Sequence, residues 1–164
     1  MRKFLLLFFF ISFFQMQGQV KKVIKHTNDA GDVTSYELDC SQNFPILAKG
    51  LRYTITRHEF KDANPKNVYR ILMVMDGFYT NVLNSEMSIS AELSDGTITT
   101  QKQTIENDGY FDGACTLKMD LIKAPVKLSI KKIILHAGKE VVYLIPENNA
   151  KMFTQNLNAI FAAK

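Results

Sequence analysis

The strongest constraint on this chain is an alternation of apolar and polar side chains with a period of two, which recurs along five separate segments. Successive side chains of a strand point to opposite faces, so such alternation marks a strand with one face in the core and the other in water. Residues 34–40 place Tyr36, Leu38 and Cys40 on one side. Residues 51–56 set Leu51, Tyr53 and Ile55 against Arg52, Thr54 and Thr56, and residues 87–93 set Met87, Ile89, Ala91 and Leu93 against Ser88, Ser90 and Glu92. Residues 115–121 repeat the pattern with Cys115, Leu117, Met119 and Leu121, and residues 126–131 with Val126, Leu128 and Ile130.

Two further segments, "YRILMVM" (69–75) and "VVYLI" (141–145), are apolar on both phases. That predicts central strands, or strands covered on both faces. A cover is available at the end of the chain. Pro146 halts the last strand, Asn148 or Asn149 can cap, and Met152, Phe153, Leu157, Ile160 and Phe161 recur at helical spacing. An amphipathic helix over about 148–163 is predicted, docked by that stripe because a short isolated helix is marginal in water. Between the strands stand Asp76-Gly77, Asp95-Gly96, Asp108-Gly109 and Asp112-Gly113, with Gly31 and Gly138 in similar places. Glycine accepts positive φ and Asp bonds its own turn, so these are tight-turn signals, and "SDGT" (94–97) is a hairpin candidate. The expected fold is mainly β (α+β): an antiparallel sandwich or curled sheet with a C-terminal amphipathic helix packed on it.

The first residues read differently. Arg2 and Lys3 precede an apolar run, 4–14, broken only by Ser12, and no charge follows before Lys21. This is the pattern of a secretory signal peptide over 1–18, with cleavage after Gly18 leaving Gln19 first. The run falls short of the ~20 apolar residues that cross ~30 Å of hydrocarbon, and no comparable run follows, so no transmembrane segment is expected after signal removal. Residues 19–164 then form one β-rich domain. The net charge of +4 falls by two when Arg2 and Lys3 leave, which removes the case for a nucleic-acid partner. The cluster Lys21, Lys22 and Lys25 is expected to be a solvated, frayed terminus.

The stretch "NDGYFDGAC" (107–115) offers Asn107, Asp108 and Asp112 as oxygen ligands. A calcium loop asks for a Glu where Leu117 and Lys118 fall, so the turn reading is preferred to a metal site. Cys40 and Cys115 share the phase of core residues, which leaves two readings open: a disulfide between them or two buried thiols. A catalytic thiol fits that phase poorly. His26, His58 and His136 show no metal-ligand spacing, and His58 and Glu59, as strand neighbours, point to opposite faces. No G-x-S-x-G, phosphate-binding glycine run or dinucleotide fingerprint occurs, and no cofactor is implied. The carboxylate pairs Asp108 with Asp112 and Glu37 with Asp39 have nothing to single them out as glycosidase-like groups.

From "LSDGTITTQ" through "LIKAPVKLSIKKIIL" to "ENNAKMFTQNLNAIF", about residues 86–162, the chain resembles small exported bacterial β-rich proteins of uncharacterised function. The resemblance implies a β-sheet closed by a helix and an exported location, and carries no functional residue across. The expected function is that of a non-enzymatic binding or envelope-associated structural domain. Its partner would be a protein, a cell-envelope polymer or a small apolar ligand; oligomeric state is left open. Phe78 and Tyr79, with the loop 61–67, are the candidate contact surface, although Phe78 also suits the core. The alternatives are a secreted hydrolase with a thiol or carboxylate site, and an inhibitor or immunity-type partner.

Overall fold

The computed structural model describes residues 20–76, 80–81, 87–103, 110–111, 113–119 and 129–164. The segment 1–18 expected to be a signal peptide, Phe78 and Tyr79, and Asn107, Asp108, Gly109 and Asp112 of "NDGYFDGAC" lie outside the described residues. In chain order the elements are β1 (Val23–Thr27), β2 (Val33–Leu38), β3 (Ile46–Ala48), β4 (Leu51–Phe60), β5 (Asn67–Met75), β6 (Thr80–Asn81), β7 (Ser88–Leu93), β8 (Ile98–Lys102), β9 (Tyr110–Phe111), β10 (Ala114–Met119), β11 (Ile130–His136), β12 (Glu140–Leu144) and α1 (Glu147–Ala162).

The first sheet runs β1-β2-β4-β5-β10, with β3 also on β4; the second runs β12-β11-β7-β8; β6 and β9 form a separate ribbon. All pairings are antiparallel. The inner face of the first sheet carries Tyr36, Leu38, Tyr53, Ile55, Ile71, Met73, Cys115 and Leu117, and that of the second Met87, Ile89, Ala91, Leu93, Ile133 and Leu135, all buried in one core with the helix residues Phe153, Leu157 and Ile160. The inward phases expected for β4 and β7, and for β10 at Cys115 and Leu117, are those observed. The expected "SDGT" turn closes β7 onto β8: Leu93 N–H donates to Thr97 O and Gly96 takes φ +85°, where a Cβ would strain the backbone.

Helix α1 spans Glu147–Ala162 and begins after Pro146, with no side-chain cap. The capping role expected of Asn148 or Asn149 is not filled. Asn149 instead donates its amide to Leu47 O at 3.0 Å, which ties the first turn to β3. Pro146, which has no N–H to leave unsatisfied, starts the helix alone. The stripe docks as expected, Phe153 meeting Tyr53 edge-on at 5.1 Å and Phe161 stacking on Tyr69 at 6.2 Å. At the far end Arg57 reaches from β4 to donate to the carbonyls of Phe161 and Ala163, at 2.8 and 2.6 Å.

Three expectations need correction. The segment 141–145 is not a central strand: β12 is the outer strand of its sheet, and Val142 and Leu144 are 45% and 71% exposed. The N-terminal lysines are not on a frayed terminus, since β1 pairs along β2 and the Lys21 N–H donates to Asn156 Oδ1 on α1. Of the strand expected over 126–131, residues 126–128 lie outside the described residues, and β11 spans Ile130–His136 with Ile130 buried as expected. A register shift between Ile130 and Lys132 then moves Ile133 and Leu135 into the core phase, as a bulge does by adding one residue. Finally, Cys40 and Cys115 are both thiols, so the disulfide is not formed. Cys40 Sγ lies 3.5 Å from Thr54 Oγ1 beside β4, Cys115 lies 3.9 Å from Met75 Sδ, and β5 stands between β4 and β10. Two strand spacings, ~9.6 Å, exceed the reach of a disulfide.

Candidate functional site

Two surfaces gather chemistry, one on each sheet. On the outer face of the first, antiparallel register sets His26 opposite Ser35 and Ser35 opposite His58. Cross-strand partners share a face, so two imidazoles flank a hydroxyl in one row. Ser35 Oγ is 2.8 Å from His58 Nδ1. In the next row Glu37 sits beside Ile24 and Thr56, and Thr56 beside Arg70. Glu37 Oε1 meets His26 Nε2 at 3.2 Å. Glu59, as expected, leaves this face and pairs with Lys66 at 3.1 Å.

Burial, and then the Arg70 guanidinium, hold the His58 imidazole below its ordinary value of 6.5, with Glu37 opposing. A neutral imidazole is a competent base for the Ser35 hydroxyl. A triad also needs a third group that orients the base, and among the described residues the neighbouring carboxylate, Glu37, is engaged with His26. The Ser35–His58 pair is therefore a cross-strand hydrogen bond of the sheet. Among the described residues no group of three His, Cys, Asp or Glu side chains could hold a metal ion.

The depressed His58 value has a consequence for stability. The unfolded chain protonates this imidazole near pH 6.5, while the folded chain resists until lower pH. Between those two points the unfolded state binds more protons, so stability is full above 6.5 and declines as pH falls toward the folded value. Urea unfolding at about pH 7.5 and about pH 5.5 is expected to show this loss. In His58→Gln the difference between the two pH values shrinks; an unchanged difference would assign it to other groups.

Sequence reading missed a buried polar link. Asn156, fully buried, donates to the Tyr53 hydroxyl at 2.8 Å while its Oδ1 accepts the Lys21 N–H at 2.9 Å. Burial pushes the Tyr53 hydroxyl well above its ordinary value, so it stays protonated. Asn156 lies on the apolar side of α1 beside Phe153 and Leu157, and a polar residue there is the one local signal for this link. The link joins the segment leading into β1 to β4 and α1, a structural task.

The second surface is the outer face and edge of the β12-β11-β7-β8 sheet. Cross-strand registers define three rows on this face. One is Leu144, Lys132, Glu92 and Ile98; the next is Val142, Ile134, Ser90 and Thr100; the third is Glu140, His136, Ser88 and Lys102. Lys132 and Glu92 form an ion pair of 2.6 Å, whose hydrogen bond holds the Glu92 carboxyl below its ordinary value. Val142, Leu144 and Ile98, at 61% exposure, are apolar side chains in water at the two ends of these rows.

The backbone of β12 completes this surface. Ile145 N–H donates to Lys131 O and Ala137 N–H to Lys139 O. Hydrogen-bonded and non-bonded pairs alternate in an antiparallel ladder, so Val141 and Tyr143 also turn their backbone groups to β11. Glu140, Val142 and Leu144 turn theirs outward. Such an edge is ordinarily guarded by Lys, Pro or a bulge; here the outward-turned residues are one acid and two exposed aliphatics. Pro146 ends the edge on its C-terminal side. Comparison of the chain with protein-family models, curated proteins and solved structures gives no match.

Proposed function

We propose that the protein is an exported, non-enzymatic domain that binds an extended polypeptide by strand addition to the outer edge of β12. The observation that carries this reading is the alignment on one edge of outward N–H and C=O groups at Glu140, Val142 and Leu144 with exposed side chains at the last two. Strand addition takes affinity from main-chain bonds and specificity from alternate side chains, and both are supplied there. Exposed aliphatics clustered at an edge mark an interaction surface. Export is supported by Arg2, Lys3 and the apolar run 4–14. The Ser35–His58 row, with its carboxylate engaged elsewhere, argues against the hydrolase alternative.

Selection of random extended peptides on the immobilised protein tests the reading. Enriched peptides are expected to alternate apolar and polar residues and to lose binding to Val142→Pro. That substitution removes an outward N–H and leaves the donors that face β11 in place, so the fold is retained. Peptides that bind the wild type and Val142→Pro equally would overturn the proposal.

A further inference from the structure

We infer that the polypeptide seated on β12 is the β8 edge of a second copy of this chain, so that copies join head to tail through one continuous sheet. The inference rests on the edge-binding reading above and names its partner. The second sheet has two outer strands, β12 and β8. On β8, Leu93 N–H donates to Thr97 O and Gln103 N–H to Met87 O. By the same alternation Thr99 and Gln101 face β7, and Ile98, Thr100 and Lys102 turn their backbone groups outward. Both edges thus present three residues of the bonding kind, and on both edges these residues' side chains lie on the outer face.

The rows fix which residues meet. Strand directions alternate across the four strands, so β8 of a second copy in the same orientation runs antiparallel to β12, as strand pairing requires. Continuing each row into that copy sets Glu140 against Lys102, Val142 against Thr100, and Leu144 against Ile98 of the second copy. Opposite charges meet at one end, and at the other the two most exposed aliphatics described, Leu144 at 71% and Ile98 at 61%, cover each other. No shift of register is needed. Each bonded pair exchanges two hydrogen bonds, giving about six across the junction. The pairing ends where the chain makes it end: Pro146 follows β12, and the Gln103 amide is engaged with both backbone groups of Thr116 on β10. Because the two surfaces differ, an array of any length keeps one free edge of each kind, one at each end, and stays open.

Sedimentation velocity of the purified protein over a concentration series tests this. The sedimentation coefficient is expected to rise with concentration beyond the value for a dimer. Glu140→Lys and Lys102→Glu alone should each weaken association about fivefold, since like charges then face each other across the strands. The double variant carrying both should restore it, and Leu144→Lys should abolish it. Circular dichroism checks that each variant keeps its fold, as expected for exposed positions. A monomer at every concentration overturns the inference, as does a species that stops at a dimer and ignores Lys102→Glu, the mark of β12 pairing with β12. If peptides still bind the β12 edge of a strictly monomeric protein, the edge-binding reading stands and the self-pairing alone fails.

Discussion

Replacing Phe153 with Ala is expected to lower stability by about 3–5 kcal/mol, a large share of the ~5–15 kcal/mol of a typical domain. Phe153 is fully buried and its ring meets Tyr53 edge-on at 5.1 Å. Its loss combines the transfer free energy of the ring, the cavity left between α1 and β4, and the aromatic pair itself, ~0.5–1.5 kcal/mol. The cavity cannot collapse easily, because Asn149 on Leu47, Asn156 on Tyr53 and Arg57 on the helix end hold α1 at several points along its length. Urea unfolding followed by circular dichroism measures the change. Phe161→Ala is the control: this ring is 38% exposed and stacks on Tyr69, so its loss should cost about 1 kcal/mol. Equal losses at the two positions would mean that α1 is not anchored through Phe153.

Arg57→Met should cost about 2–4 kcal/mol, by a different route. The guanidinium is buried, with 6% exposure, and donates two short bonds to the carbonyls of Phe161 and Ala163. The last carbonyls of a helix lack partners within it and carry partial negative charge. The last turn of α1 holds no basic residue, so β4 supplies the cation. The Tyr36 ring lies 4.0 Å from the guanidinium carbon and adds a cation–π contact. Removing the side chain leaves carbonyls that the protein covers without a donor. Arg57 Nε has no partner among the described residues, a cost Arg57→Met relieves, which keeps the expected loss below that of Phe153→Ala. Hydrogen exchange separates the two variants. Arg57→Met should speed exchange in the last turn of α1 beyond its effect on the first turns, whereas Phe153→Ala should raise exchange throughout. Uniform acceleration in Arg57→Met would show that the arginine does not act on the helix end.

Much of this architecture was legible in local pattern. Period two assigned the inward faces of β4, β7 and β10, because burial of a strand face is a property of alternate residues along the chain. The stripe Phe153, Leu157 and Ile160 announced a docked helix for the same reason at a period of 3.6. Asp95-Gly96 marked its hairpin because only glycine takes φ +85° without strain. The site was far less legible. Segments 69–75 and 141–145 are each apolar on both phases, yet among the described residues β5 lies between two neighbours and β12 has only one.

Composition along a strand records how much apolar surface it carries, and that alone is settled by the sequence here. Whether such a strand is flanked, and so whether its second face and edge meet protein or water, depends on segments distant in the chain. The same holds for the bulge that shifts Ile133 and Leu135, for the strand that keeps Cys40 from Cys115, and for Arg57, which looks like a polar surface residue until the end of α1 is placed over it. Periodicity is a local property and was determined by the sequence itself. Adjacency is created only by folding, and the tertiary structure decided which apolar residues became core and which were left at an open edge.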